Sequence, residues 1–521
     1  MTRGRVVGLV VLGALALALA YPPFPLPAVS FLALAPAVLL LRHLAATGDT
    51  RRAFRWGWWY GFAAQGAVLS WMVVALWHFT ALAALGYVLT IAVLGLFTGA
   101  VFWLVVRVRA RAPALPLALV LPLLWTAMEW SIGHLGDVAF PWLGLGTSLA
   151  DAPALIQWAD IAGARGVGVW VIWCNVLLVE SALAGRAEWR SGARRAGAVA
   201  VSILLAWGYG AWRIPRIPLR QTGVIALIQP NIGFDDKWDP IRADSEVETL
   251  LALSRRARAL SRPALIVWPE AALPGFLFQQ EAWDSSIARF VREGRTPILT
   301  GGLHAEFPAG AGRVETFNAA FFFDSLGQWR DHPIYRKRAL VPVVEHVPFV
   351  PVSWFRHVPW LGRWSGGFGR GTELPVYAAG IGRFGVIVCY ESAFEDLPRR
   401  YRAEGADFLV NITNDAWFGR TAAPSQHASH LVLRAIETRM GVARAANDGI
   451  SEFVDPLGQV RDATGLEREA VVIDRVTTSD VVTLYVRLGD WVGWVAVVGT
   501  LGLLWIAFAP RRTSARQIEE T

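Results

Sequence analysis

Gly385-Val386-Ile387-Val388-Cys389-Tyr390-Glu391 is the stretch from which the chain is best read. Its apolar, β-branched run predicts a buried strand, and the strand ends on a thiol beside a phenol and a carboxylate. The sequence holds only two cysteines, and the other, Cys174, lies inside a long apolar stretch. A lone cysteine is ordinarily a small buried apolar residue. One placed at the mouth of a strand is a candidate nucleophile.

Outward from that strand the composition is that of a membrane protein. Of 521 residues, 54% are hydrophobic and only 17% charged, against about 25% in ordinary soluble domains. Residues 1–20 open with Arg3 and Arg5 and continue as the run Val6–Ala20. Ala18-Leu19-Ala20 has the form of a signal cleavage site, but extension into Tyr21–Leu26 favours a first transmembrane helix. Further apolar stretches lie at about 27–41, 57–77, 81–106, 113–128, 166–183, 194–212 and 490–509. Most approach the ~20 residues that cross a bilayer. The expectation is eight helices: seven in residues 1–212, one at 490–509, and a tail at 510–521.

The arginines orient this bundle. Alternate loops carry Arg3 and Arg5; Arg42, Arg51, Arg52 and Arg55; Arg107, Arg109 and Arg111; Arg186, Arg190, Arg194 and Arg195; and Arg511, Arg512 and Arg516. The intervening short loops carry essentially Arg165 alone. By the positive-inside rule both termini are cytoplasmic, and the section from about 213 to 489 lies outside. The net charge of +8 therefore belongs to membrane orientation and is not a nucleic-acid footprint.

The outer section alternates strand-like runs with helical patterns: Val224–Ile228, Ala264–Val267, Pro297–Thr300, Gly385–Val388 and Asp407–Val410. This predicts an α/β domain over residues 222–478. It also repeats itself. Phe322-Phe323-Asp324-Ser325-Leu326-Gly327-Gln328-Trp329-Arg330-Asp331 matches Phe453-Val454-Asp455-Pro456-Leu457-Gly458-Gln459-Val460-Arg461-Asp462 at seven of ten positions. Each copy reads as a strand, a tight turn and a return strand. Convergent hairpin chemistry accounts for this, and so do two related halves.

Two further segments end on polar residues. Ile266-Val267-Trp268-Pro269-Glu270 places a carboxylate at the carboxyl end of a strand, where α/β folds bind ligands. Tyr335-Arg336-Lys337 carries one of only two lysines in the chain, the other being Lys237. A thiol with a pKa near ~8.5 needs a base or a cation beside it. A carboxylate accepts its proton, and an ammonium stabilises thiolate and oxyanion. Glu, Lys and Cys together suffice for acyl transfer. The nine histidines show no metal spacing beyond the three-residue interval of His427 and His430, and no phosphate-binding or dinucleotide fingerprint appears. No metal or cofactor is expected. A free thiol in an oxidising compartment, with its only possible partner in the membrane, also argues for a reactive role.

The order Trp268-Pro269-Glu270, Tyr335-Arg336-Lys337, Cys389-Tyr390-Glu391 resembles the nitrilase, or carbon–nitrogen hydrolase, superfamily over roughly residues 222–478. With flanking membrane helices, the whole chain resembles the bacterial apolipoprotein N-acyltransferase family. Gln229-Pro230-Asn231-Ile232 with Lys237-Trp238, Leu340-Val341-Pro342 with Glu345, and Asn411-Ile412-Thr413-Asn414-Asp415-Ala416-Trp417-Phe418-Gly419 add to the match. Ala446-Asn447-Asp448-Gly449 and Val343-Val344 depart from the family pattern and leave local loop shape open.

The resemblance implies a nitrilase-like α-β-β-α sandwich on a transmembrane bundle, open toward the membrane. It implies Glu270 as general base, Lys337 as oxyanion and thiolate stabiliser, and Cys389 as nucleophile. Glu345 is then expected to orient or assist Lys337, Tyr390 and Glu391 to shape the wall beside the thiol, and Trp238 to sit near a lipid entrance. The implied reaction is ping-pong, from a phospholipid such as phosphatidylethanolamine to the α-amine of a diacylglyceryl-cysteine apolipoprotein. A membrane-tethered amidase for a small substrate shares the triad but needs only one anchoring helix. A transporter or scaffold with a degenerate outer domain leaves the complete triad without a purpose, and intramembrane charge is sparse.

Overall fold

The computed structural model describes residues 1–78, 82–234, 236–307, 314–346, 348 and 367–510. Its first part is helical, as long apolar runs require where backbone groups must satisfy one another. The helices are α1 (Arg3–Ala20), α2 (Pro27–Ser30), α3 (Ala35–Thr47), α4 (Thr50–Val68), α5 (Met72–Trp77), α6 (Ala83–Arg111), α7 (Leu117–Gly133), α8 (Ala159–Ala182) and α9 (Trp189–Arg213). With α15 (Trp491–Phe508), six helical stretches among the described residues are long and apolar enough to cross a membrane: 3–20, 27–47, 83–111, 159–182, 186–216 and 491–508.

Two expected spans differ from this set. Helix α7 is apolar but covers only Leu117–Gly133; it packs against α15 and α8. The expected span at 57–77 is divided: α4 stops at Val68 and α5 starts at Met72. At the break, the Trp71 indole donates to Gln426 Oε1 at 3.1 Å, so the helix is interrupted where it meets the α/β section. Helix α4 carries Arg51, Arg52 and Arg55 in its first turns, which lowers its hydropathy. Its Gly57 and Gly61 nevertheless sit so close to α6 that a Cβ on either would lie 3.1 Å from the Cα of Gly99 or Gly95. Small residues permit this approach of two backbones.

The α/β section is built twice. One sheet has the order β12-β1-β2-β3-β4-β5 and the other β11-β10-β9-β8-β7-β6. The first comprises β1 (Arg220–Gln229), β2 (Leu265–Val267), β3 (Ile298–Glu306), β4 (Glu315–Phe323), β5 (Tyr335–Arg336) and β12 (Ala470–Thr478). The second comprises β6 (Val376–Ala379), β7 (Gly382–Val388), β8 (Phe408–Thr413), β9 (Gly441–Ala446), β10 (Glu452–Val454) and β11 (Val460–Arg461). In each sheet three consecutive strands run parallel, β1-β2-β3 and β7-β8-β9, and the remaining strands pair antiparallel. Helices α10 (Ala243–Ser261) and α11 (Glu281–Gly294) connect the first parallel set, and α12 (Asp396–Ala403) and α13 (Ala423–Thr438) the second.

The repeated decapeptide is the same turn in both sheets. The Asp324 amide donates to the Gln328 carbonyl at 3.0 Å, and Asp324 Oδ1 accepts from the amides of Leu326 and Gln328. Asp455 repeats every one of these bonds with Gln459 and Leu457. Gly327 and Gly458 both take positive φ, 75° and 79°, a conformation glycine reaches without steric cost.

Strand residues alternate between two environments, as a period of two requires. Ala226, Ile228, Ile266, Trp268 and Phe321 pack under α10 and α11, whereas Ile225, Leu227, Val267 and Phe322 share the core of the second sheet. This is a sandwich with helices outside. Helix α13 is buried on every side, because it lies between the second sheet and α8. There the Ala164 amide donates to Glu437 at 2.7 Å, and Arg439 pairs with Asp160 at 2.8 Å. A short helix, α14 (Leu484–Leu488), leads into α15.

Candidate active site

The β-branched run of β7 carries Cys389 to the seam between the sheets. The chain turns there into a short 3₁₀ segment, Cys389–Ala393, and Cys389 itself takes a φ of 51°. A non-glycine residue in this region stores strain that its surroundings must support. The support is Glu391. Its Oε2 accepts from the Val388 amide at 2.7 Å and from the Tyr335 hydroxyl at 2.6 Å. Its Oε1 accepts from the amides of Arg338 and Ala339 at 2.7 and 3.0 Å. Glu391 is therefore a strut between the cysteine turn and the residues on either side of Lys337. Of the two side chains expected to wall the thiol, Tyr390 does line the cleft beside it, while Glu391 is turned into the joint.

Lys337 emerges from β5 and is 1% exposed. Its Nζ lies 2.8 Å from Glu345 Oε1 and 3.1 Å from Glu270 Oε1. Asn318 on β4 donates to the same two oxygens, at 3.0 and 2.7 Å. Glu345 Oε2 accepts from the Val341 amide, and Glu270 Oε2 from the amide of Asn414 beyond β8. Glu270 is thus held by both sheets. Glu270, Lys337, Glu345 and Asn318 form one hydrogen-bonded group across the seam, and the charges of Glu270 and Lys337 both act on Cys389.

Electrostatics set the resting state. Burial pulls the Lys337 ammonium down, but Glu270 and Glu345 more than offset it, so its pKa stands well above the ordinary value. Burial and the Glu270 carboxylate push the Cys389 thiol well up, with Lys337 working the other way. The cysteine rests as a thiol beside a lysine cation. Losing its proton to Glu270 would remove one of the three causes of that rise and leave burial and the Asp415 carboxylate opposed by the cation and by the Thr413 hydrogen bond.

Three residues beside this group were not singled out by sequence reasoning. Asp415 beyond β8 receives Arg444 at 2.9 Å and His427 Nδ1 at 3.0 Å. Arg444 and His427 hold its carboxyl down to about 2 against the cost of burial. Ligand atoms of Cys389, Asp415 and His427 all lie within 4.8 Å of one another. This donor set has the spacing of a metal site, but the Arg444 guanidinium already occupies the carboxylate, and Lys337 adds a second cation beside the thiol. The signal in the sequence was the segment Asn411–Gly419, which contains Asp415; His427 had been weighed only for its spacing to His430.

Cys389 and Tyr390 open onto a cleft lined by α5, α6 and α7 residues such as Met72, Leu89, Val93, Phe97 and Ile132, and by the segment 341–344. Tyr390 donates its hydroxyl to the Ala139 carbonyl at 2.9 Å and stacks on Phe140 and Trp142. Among the described residues the cleft is lined without Trp238, which is 46% exposed on the segment between β1 and α10. Its neighbour Lys237 is buried, 4.0 Å from Glu246. In the same segment Phe234 stacks on His78, after α5, at 4.4 Å.

Residues 13–177 match the model of the apolipoprotein N-acyltransferase N-terminal domain, and residues 224–484 that of the carbon–nitrogen hydrolases. A curated relative from Geobacter metallireducens, an apolipoprotein N-acyltransferase, is 34% identical over 512 residues, covering 96% of this chain and 94% of its own. The chain belongs to the apolipoprotein N-acyltransferase family. Relatives of the same description from Pseudomonas putida and Chlorobaculum tepidum are 30% and 29% identical, covering 95% and 96% of this chain and 94% and 96% of theirs. Among solved structures, an amidase from Nesterenkonia sp. matches at 19% identity and a TM-score of 0.38, covering 56% of this chain and 98% of its own.

Proposed function

We propose that this family member transfers an acyl chain from a phospholipid, phosphatidylethanolamine being the expected donor, to the α-amine of a diacylglyceryl-cysteine at an apolipoprotein N-terminus. The observation that carries the reading is the cleft, which joins the buried Cys389 to apolar faces of α5, α6 and α7. An amidase for a small polar substrate has no use for such a path. An acyl chain does, because its methylene groups each gain about 0.8 kcal/mol on leaving water.

The mechanism follows from the charges. Glu270 takes the Cys389 proton, the thiolate attacks the ester carbonyl, and Lys337 holds the developing oxyanion. Glu270 returns the proton to the departing lysophospholipid, leaving a thioester. The acceptor amine then attacks that thioester. Glu345 and Asn318 keep Lys337 and Glu270 in register, and Glu391 holds the turn on which Cys389 sits. Exclusion of water by the apolar cleft protects the thioester from hydrolysis.

The same reading makes all eight apolar helices of residues 1–212 and 490–509 membrane-embedded, α4 and α7 included. It sets the termini in the cytoplasm, residues 222–478 outside the inner membrane, and Trp238 near the lipid entrance. The arginine distribution supports this orientation.

The test is a reconstituted transfer. Protein in phosphatidylethanolamine vesicles, given a diacylglyceryl-cysteine peptide, should yield peptide one acyl mass heavier together with lysophosphatidylethanolamine. A peptide blocked at its α-amine should not react. Release of free fatty acid at the same rate with and without peptide would establish a hydrolase instead.

A further inference from the structure

His427 sits on α13, fully buried, and its Nδ1 lies 3.0 Å from Asp415 Oδ1. The carboxylate is held ionised by Arg444, at 2.9 Å from its other oxygen. An ionised carboxylate only accepts, so the proton on the ring resides at Nδ1. The Arg444 Nη2 3.2 Å from the same nitrogen is a second donor and leaves this assignment in place, since the carboxylate is nearer. The other nitrogen, Nε2, is buried without a hydrogen-bond partner among the described residues. His427 lines the same cleft as Cys389. In its neutral form this oriented imidazole presents the Nε2 lone pair beside the nucleophile.

The fold gives this array a counterpart. Strand β8 occupies in the second sheet the place of β2 in the first. Asp415 follows β8 as Glu270 follows β2, so each half supplies one carboxylate to the seam.

The reaction proposed above needs a second proton acceptor. An ester and an ammonium give an amide, an alcohol and one free proton. Glu270 is already engaged with another proton in each half-reaction. In the first half it passes the thiol proton to the lysophospholipid oxygen as the ester C–O bond breaks. In the second, it takes one N–H proton and returns it to Cys389 Sγ as the C–S bond breaks. The surplus proton is the one the ammonium must lose before its lone pair can form the N–C bond.

We infer that His427 Nε2, oriented by Asp415, is the base that accepts this proton from the acceptor ammonium. It is then a further catalytic residue, specific to the aminolysis half-reaction. The resulting imidazolium faces Asp415 and gives its proton to solvent as product leaves. This inference rests on the thioester reading of the preceding section.

The experiment separates the half-reactions. Wild type and His427→Gln are loaded from phosphatidylethanolamine, the thioester is measured by intact mass, and the diacylglyceryl-cysteine peptide is then added at saturation. The ratio of the aminolysis rate to the thioester-formation rate should fall on the order of 100-fold in His427→Gln. The deficit should shrink as pH rises past the ~7.7–8.0 of a free α-amine, where the ammonium needs no base. A ratio within about 3-fold of wild type, or a deficit equal at every pH, overturns the inference.

A second reading needs wild type alone and is independent of how the variant folds. Aminolysis should fall less than about 2-fold between pH 8 and pH 7; a drop of about 4- to 6-fold, which is the loss of free amine with a pKa of ~7.7–8.0, would overturn the assignment. A wild-type protein that forms no thioester overturns the parent reading and this one together. A thioester with an unchanged ratio overturns this one only.

Discussion

Lys337 Nζ stands 2.8 Å from Glu345 Oε1, nearer than the 3.1 Å that separates it from Glu270. The two carboxylates therefore divide one cation between them. In the proposed mechanism this sharing frees Glu270 to act as the base.

Removing Glu345 should expose that division. Glu345→Ala leaves the buried Lys337 with one counterion, and losing a partner from such a pair costs about 3–5 kcal/mol. Glu345→Gln keeps the hydrogen-bond geometry and should keep most of the stability. In both, Glu270 becomes the sole counterion of Lys337, and thioester formation should slow by about 100-fold. Thermal midpoints and single-turnover acylation check the two effects separately.

Gly301 should be as sensitive as a triad residue although it carries no functional group. A Cβ there would lie 2.6 Å from the Ala271 amide and the Pro269 carbonyl, and 2.7 Å from Glu270 Cα. Gly301→Ala should cost about 1–3 kcal/mol and displace Glu270, lowering thioester formation more than tenfold. Gly380→Ala, where a Cβ meets nothing within 4 Å, is the control and should behave as wild type in both assays.

Asp415 should give stability an acid limb. Its folded-state value is about 2, against the ordinary 3.8, because Arg444 and His427 face it. The folded value lies below the unfolded one, so the unfolded chain binds more protons between them and stability rises with pH there. The contribution is complete above about pH 4 and is lost as pH falls toward 2, amounting to about 2 kcal/mol. Denaturation in detergent from pH 5 to pH 2 should show this loss in wild type and not in Asp415→Asn.

Much of this site was legible because its residues stand out against the composition. A β-branched strand ending on one of two cysteines, and one of two lysines after a hairpin, locate Cys389 and Lys337 without coordinates. The repeated Asp-x-Leu-Gly turn left convergent hairpins and two related halves both open, and the two turns agree bond for bond, one in each sheet. Harder to read were residues whose role depends on which way one strand end faces. Glu391 looks like a neighbour of the thiol, yet the 3₁₀ turn at Cys389 sends it into the joint with Arg338 and Ala339. Asp415 and His427 are twelve positions apart and meet only because α13 folds back along the seam. The rarity of lysine also marked Lys237, which proves as buried as Lys337. Hydropathy joined α4 to α5 because it counts apolar residues and is blind to the turn that brings Trp71 to Gln426. The departure at Val343-Val344 falls where Val343 takes a φ of 68°, a backbone that β-branched residues rarely adopt.

Intact mass shows whether Cys389 carries the acyl group. Protein incubated with phosphatidylethanolamine should gain one acyl mass, removed by hydroxylamine and by a diacylglyceryl-cysteine peptide, whereas Cys389→Ser should gain no hydroxylamine-labile adduct and transfer nothing. A Cys389→Ser protein that still N-acylates the peptide would contradict the account.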